Sequence, residues 1–190
     1  MKTLDVIIPF KTEIFITKID PSVTAGVLEE IIKIQTSEQS ASVSNVGGWQ
    51  SPSYTLNQNK FMSSINLEIK EYINEIYNIM NVGGGSGEIL NYWFNINGKY
   101  DYNISHSHPG SYFSAALYLK TPEHSGNIVF QRPDNLKETI LFHTPNEHNF
   151  GDYQITPQEN LLVIFPSCLH HYVARNTSDE TRVSVAFNIK

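Results

Sequence analysis

Arg182-Val183-Ser184-Val185-Ala186-Phe187-Asn188-Ile189 alternates strictly between two kinds of side chain. Residues two apart on a strand share a face. Val183, Val185, Phe187 and Ile189 therefore make an apolar face, and Arg182, Ser184, Ala186 and Asn188 a polar or small one. Residues 112–120 repeat the pattern, with Phe113, Ala115, Leu117 and Leu119 opposing Tyr112, Ser114, Ala116, Tyr118 and Lys120. In residues 91–97, Tyr92, Phe94 and Ile96 oppose Asn91, Trp93, Asn95 and Asn97. An antiparallel sheet with one face in water gives such alternation. The histidines of the same region weigh against that simple reading.

Outward from these strands, residues 88–190 read as strands only. The expected segments are 88–97, 112–120, 126–131, 138–144, 152–156, 160–166, 170–176 and 181–189, separated by Gly, Pro, Asn and Asp clusters. The first part, residues 1–82, differs. Residues 5–10 and 13–19 read as short strands. Asp20-Pro21 supplies a helix cap and first-turn proline, followed by Val23, Val27, Ile31 and Ile34 at helical spacing. Residues 36–59 read as a long loop containing Gly47-Gly48-Trp49-Gln50-Ser51, and residues 60–80 as a helix with Ile65, Ile69, Ile73 and Ile76 on one face. Gly83-Gly84-Gly85-Ser86-Gly87 lacks the lysine and the strand–turn–helix setting of a phosphate loop and reads as a hinge or linker. The expected architecture is mainly β: a jelly roll, or double-stranded β-helix of cupin-like form, with two N-terminal helices packed on it, residues 1–190 making one domain.

Composition narrows the function. The net charge is −6, without a basic cluster, which argues against nucleic acid as partner. Apolar runs such as Val6–Phe10 and Leu161–Phe165 are far shorter than the roughly 18 residues of a membrane span. Asp5 and Glu13 interrupt the only early apolar stretch, so no secretory leader is expected. Cys168 is the single cysteine, excluding an internal disulfide and a cysteine-type zinc site. Cytoplasmic location is the expectation.

His106-Ser107-His108 precedes the 112–120 strand. If pairing runs unbroken, both rings share the face of Tyr112, Ser114 and Tyr118, although Pro109 and Gly110 supply the means for a bulge. Histidines at i and i+2 set two imidazoles side by side, a geometry suited to chelation. His170 or His171, one of which points to the polar face, adds a third, and a facial set leaves positions open for substrate or oxygen. His124, His143 and His148 read as non-ligands. Arg182 follows His171 by 11 residues. If residues 176 and 181 pair, Arg182 shares the face of His171 at about 13 Å along the strand, a gap a short dicarboxylic acid bridges. A guanidinium binds carboxylate through two parallel hydrogen bonds, and Ser184 adds a hydroxyl.

These segments resemble the iron(II)- and 2-oxoglutarate-dependent oxygenases. More narrowly, residues 93–188 resemble a branch found in marine bacteria and phages. The likeness rests on Trp93–Asn97, Tyr102–Ser111, Ser114–Leu119, Phe165-Pro166-Ser167, His171 with Val173, and Arg182–Asn188, with the Gly47–Ser51 loop similar as well. The resemblance implies that His106, His108 and His171 are the catalytic metal ligands, His108 standing where the family usually carries Asp or Glu. It favours His171 over His170 because the family's ligand follows Phe165 by six residues. It implies that Arg182, assisted by Ser184, binds the far carboxylate of 2-oxoglutarate, with Tyr102, Asn103 and Tyr118 as further cosubstrate contacts. Trp93, Tyr112 and Trp49 are expected on the substrate side. Fe(II) is the implied metal, with zinc or nickel as substitutes in purified protein. No feature of the sequence chooses among a small molecule, a peptide side chain and a nucleobase as substrate. With nucleic acid disfavoured by charge, the expected partner is an unidentified small molecule or peptide, a homodimer is compatible, and a phage origin would put the chain in the host cytoplasm.

Three histidines leave the site one negative charge short, which weakens its hold on a divalent cation. Two other functions fit the same residues: a three-histidine cupin-like metalloenzyme that does not use 2-oxoglutarate, and a non-catalytic binding jelly roll.

Overall fold

A computed structural model describes residues 5, 7, 10–82, 87–134, 144, 146 and 148–190. Two antiparallel sheets face each other, as a jelly roll requires. The larger has the strand order β1-β9-β6-β11-β4-β3 and the smaller β2-β5-β10-β7-β8. In the larger sheet, β1 is Phe15–Lys18, β3 Trp49–Gln50, β4 Ile89–Asn97, β6 Phe113–Lys120, β9 Leu161–Pro166 and β11 Arg182–Ile189. In the smaller, β2 is Asn45–Val46, β5 Tyr102–His106, β7 Ile128–Gln131, β8 Asp152–Ile155 and β10 His171–Val173.

The alternation of the long strands divides the protein into two layers. Val183, Val185, Phe187, Tyr92, Phe94 and Leu117 enter one core with the helices on the outer face of the larger sheet. There α2 (Val27–Ser37) contributes Val27 and Ile31, and α3 (Ser63–Ile79) contributes Ile65, Ile69, Ile73 and Ile76, the 3.6-residue period the sequence shows. The other face of the sheet looks inward at the smaller sheet. Part of that space is filled by Tyr118, Phe130, Val163 and Phe165, and part is left to a polar cavity.

Several sequence expectations need correction. The first helix is two: α1 (Pro21–Thr24), capped by Asp20 Oδ1 accepting from Ser22 N at 2.8 Å, breaks before α2 at Gly26, whose φ is +77°. The second begins with a tighter 3₁₀ turn at Lys60–Met62. The 36–59 loop contains β2 and β3, one in each sheet. Gly47 and Gly48 carry the chain between them at φ +67° and +64°, and a Cβ at Gly47 would lie 2.0 Å from Asp101 Oδ1. Gly87 lies where a Cβ would meet Ile73 Cγ2 at 2.0 Å, so the chain enters β4 in close contact with α3. Residues 83–86 lie outside the described part, as does most of the expected 138–144 strand. Of the expected 5–10 strand, only Asp5, Ile7 and Phe10 are described, and none is in a strand.

The largest departure concerns pairing. β5 was not expected, and it ends at His106 in the smaller sheet, so the His106–His108 segment does not continue into β6. Residues 176 and 181 form no hairpin ladder either. β10 pairs with β5 and β7, whereas β11 pairs with β4 and β6. Arg182 and His171 thus reach one cavity from opposite sheets rather than along one.

Candidate active site

His171 opens β10 and His106 closes β5, and the ladder makes them direct cross-strand partners. Their ring centroids are 4.4 Å apart. His108 lies beyond the end of β5, where its backbone N–H donates to Ser167 O at 2.8 Å. Its ring is 5.0 Å from that of His106 and 5.1 Å from that of His171. One nitrogen from each of the three lies within 4.8 Å of the others, a spacing that allows a shared metal ion, and no Asp or Glu among the described residues joins this group.

The ring orientations are fixed by what each other nitrogen does. His106 Nδ1 lies 2.8 Å from Ile104 O, and His171 Nδ1 lies 3.0 Å from Leu169 O. A carbonyl only accepts, so each Nδ1 carries the proton and each Nε2 keeps its lone pair free for a metal. Phe165 packs edge-on against His171, and Trp93 stacks on His108 at 5.5 Å. Asn188 hydrogen-bonds His108. Asn188 is itself held by Ser114 Oγ at 3.3 Å and by its own donation to Asn91 Oδ1 at 3.0 Å, and Ser114 meets Ser167 Oγ at 2.8 Å. The inward polar residues of β6 and β11 therefore brace the histidine that lies outside regular structure.

Burial is the main force on the proton equilibria here. It lowers His171 to about 3 and His108 to about 4, with the neighbouring imidazoles adding smaller contributions, and it lowers His106 as well. All three are neutral at neutral pH, the form that ligates metal.

Across the gap stands Arg182, 1% exposed. Its Nη1 donates to Ser125 O at 2.8 Å and Gly126 O at 3.0 Å, while its Nε is buried without a hydrogen-bond partner. No carboxylate among the described residues pairs with it. Burial lowers its pKa, opposed by Tyr118 and Asp101. Asn176, buried, secures the approach to β11 by donating to Asn97 O at 3.0 Å and Glu180 O at 2.8 Å. The cavity between Arg182 and the histidines is lined also by Ser184, Tyr118, Asn103 and Trp93. Room for it comes from small residues: Ala186 lies between Trp93 and Ala116 in the sheet register. Arg182 is the only Arg, Lys, Asp or Glu among the described lining residues. Such a site suits an anion at one end and a metal at the other.

The other expected site residues divide. Asn103 lines the cavity, donating to Ser44 Oγ at 3.1 Å and facing Asn97 Nδ2 at 3.4 Å. Burial pushes the phenol of Tyr118 up to about 12, against the pull of Arg182, so it is a neutral hydroxyl. Tyr102 instead stacks under Arg175, outside the cavity lining. Trp49 is turned into the helix-side core, with Nε1 donating to Glu38 O at 3.1 Å. Tyr112 is exposed and lies near Lys190. His170 is exposed; His124 and His148 are outside the metal-binding group, and His143 is outside the described residues. Asn188, Ser114 and Asn176 were not singled out from sequence as functional, although the first two lie on the polar faces of their strands.

No helix among the described residues is long and apolar enough to cross a membrane. No curated protein sequence matches the chain. Among solved structures, the chain is similar to a prolyl-4-hydroxylase from Pseudomonas putida, with a TM-score of 0.67 and 14% identity over 93% of this chain and 92% of the other. It is similar to a viral collagen prolyl hydroxylase from Paramecium Bursaria Chlorella virus-1, solved with 2-oxoglutarate, at TM-score 0.61 and 12% identity over 93% and 94% of the two chains. A third is the epimerase SnoN of nogalamycin biosynthesis, in complex with Fe3+, α-ketoglutarate and nogalamycin RO, at TM-score 0.67 and 14% identity over 94% and 78%. At these identities the likeness establishes the jelly-roll fold. Residues 91–188, just over half the chain and the part that holds every histidine of the cluster and Arg182, match the model of a family described as "Putative 2OG-Fe(II) oxygenase". The chain belongs to this family of 2-oxoglutarate-dependent oxygenases, with Fe(II) as metal and 2-oxoglutarate as cosubstrate.

Proposed function

We propose that His106, His108 and His171 hold the iron, that Arg182 and Ser184 receive the far carboxylate of 2-oxoglutarate, and that the enzyme hydroxylates a C–H bond of a small-molecule or peptide substrate. The observation that carries this reading is the buried Arg182 guanidinium, with Nε unsatisfied and no ion pair to a carboxylate among the described residues, facing three imidazoles across one cavity. A buried cation that lacks a direct counter-ion and leaves a donor unsatisfied is costly. A bound carboxylate removes that cost and supplies the missing hydrogen-bond acceptor.

Iron held by His106, His108 and His171 would supply the activation of molecular oxygen that couples decarboxylation of 2-oxoglutarate to succinate with hydroxylation of the substrate, one oxygen atom going to each product. The chain's own part is positional. Arg182 sets the depth of the diacid. Ser184 and the neutral Tyr118 hydroxyl are placed to donate to its carboxylate. Trp93 and Phe165 restrict ring motion and water access at His108 and His171. The net charge of −6 and the absence of Lys and Arg among the described residues lining the outer groove beside His106 and His108 support a substrate other than nucleic acid.

Anaerobic addition of Fe(II) and then 2-oxoglutarate should develop a visible charge-transfer band, and admitting oxygen should yield succinate. Metal uptake with no response to 2-oxoglutarate would favour instead a three-histidine metalloenzyme that uses Arg182 for its substrate's own carboxylate. The all-imidazole ligand set, which also suits zinc, favours that second reading.

A further inference from the structure

A second depression, of about 390 Å³, opens beside the histidines. Its size is that of a small-molecule site. It adjoins the inner cavity directly, because Trp93, His106 and His108 form walls of both. Its remaining lining includes Gln50, Asn91, Asn188 and Ile104, with no Asp, Glu, Lys or Arg among the described lining residues. A charged ligand would find no counter-ion there.

Gln50 is the unusual member. β3 pairs with β4 so that Gln50 lies opposite Asn95. The register continues from Asn95 to Ser184 and from Ser184 to Tyr118, so one polar row crosses the sheet from the inner cavity to this groove. The backbone of Gln50 is fully used: its N–H donates to Ser40 Oγ at 3.1 Å, and its carbonyl accepts from Ala41 N at 2.8 Å. Its side chain is 6% exposed, and Oε1 is buried without a partner. Buried acceptors are seldom left unsatisfied, because the group loses its water and gains nothing. The neighbouring Trp49 and Ser51 are both engaged, through Glu38 O and Pro52 O, so the side chain of this loop with an idle acceptor belongs to a residue that lines the groove.

We infer that Gln50 is a specificity-determining residue: a turn of its carboxamide toward the groove lets Oε1 accept a hydrogen bond from an N–H or O–H of an uncharged substrate whose body lies against Trp93. This inference rests on the oxygenase reading, since it assigns the groove to the molecule that is oxidised. It also gives the loop's substrate contact to Gln50 rather than Trp49.

The test uses the full chain and a matched set of probes, benzamide, benzoate and benzylamine, followed by ligand-observed saturation-transfer NMR. Measurements are made metal-free and again with Zn(II) and 2-oxoglutarate, which bind without turnover. Benzamide should bind at least about tenfold more tightly than either charged analogue. Gln50→Met should lose benzamide by about tenfold while its melting temperature holds or rises, because the variant removes an unsatisfied acceptor. Gln50→Glu, which presents only acceptors, should keep benzamide binding. The proposal is overturned if no probe binds, if a charged probe binds as well as benzamide, if Gln50→Met leaves binding unchanged, or if Gln50→Met lowers the melting temperature as a structural role would. Failure of wild-type protein to take up Zn(II) or 2-oxoglutarate, with benzamide selectivity intact in the metal-free arm, would sink the oxygenase reading and uphold the groove's preference.

Discussion

The Nε2 atoms of His108 and His171 face each other across 3.3 Å, although one residue lies in a loop and the other begins a strand. The two rings are nearly parallel, at 9°. His171 Nδ1 donates to Leu169 O, so its Nε2 offers a lone pair toward His108. Without metal, a proton on His108 Nε2 can bridge the two; on the proposed reading both nitrogens would instead serve a metal ion. Evolution of such a contact for stability alone would not require the third imidazole that His106 adds.

Acid should therefore destabilise the metal-free protein earlier than carboxylate titration explains. In the unfolded chain these histidines take up protons near 6.5, whereas in the fold His108 does so at about 4 and His171 at about 3. The unfolded state binds more protons between those values, so the stability is fully present above about 6.5 and falls as pH drops toward 3. Melting temperatures of metal-free protein at about pH 8, 7, 6 and 5 check this. A flat profile down to pH 5 would show that the imidazoles are not desolvated in solution.

Arg182→Ala should weaken 2-oxoglutarate by roughly tenfold to a hundredfold, the loss expected for a charge-assisted hydrogen bond, while Fe(II) uptake stays near wild type. Isothermal titration of each component separates the two effects. Equal loss of metal would assign the arginine a structural role. Arg182→Met removes the buried charge while filling space, so its melting temperature without ligand should not fall below that of Arg182→Ala.

The neighbours His170 and His171 offer a paired control. His171→Ala should abolish stoichiometric metal, and His170→Ala, which alters an exposed ring, should retain it. Elemental analysis after dialysis decides between them, and the reverse result would mean that the cluster is assembled differently in solution.

His108→Asp should tighten Fe(II) binding, by about tenfold, because a carboxylate returns the negative charge that three imidazoles lack. Competition against a chelator of known strength measures it. Loss of metal in this variant would show that the reach of the imidazole, set by its stack on Trp93, matters more than charge.

The long strands were legible because each has one face in the helix-covered core: Val183, Val185 and Phe187 carry a period that no loop would show. β5 was not legible for the opposite reason. Tyr102-Asn103-Ile104-Ser105-His106 turns Asn103 and His106 to a polar cavity and Ile104 outward, so there is no apolar alternation to find. β2 and β3 have two residues each, too few for a period, and their parity could not reveal that Gln50 rather than Trp49 faces the groove. The 176–181 pairing failed because sequence-neighbouring strands invite a hairpin, while a jelly roll sends them to different sheets. The cluster itself survived the wrong pairing, since the resemblance to the oxygenases, and not the assumed hairpin, singled out His106, His108, His171 and Arg182 together.

Arg182 sits on the larger sheet and His106 and His171 on the smaller one. Facing sheets keep a spacing of about 10 Å whatever the loops around them do. On the proposed reading the thickness of the sandwich would work as a calliper: a diacid one methylene longer or shorter than the gauge would miss one jaw. The groove beside Gln50 is walled partly by a loop outside that instrument, so its taste in substrates is free to drift while the measured length stays the same.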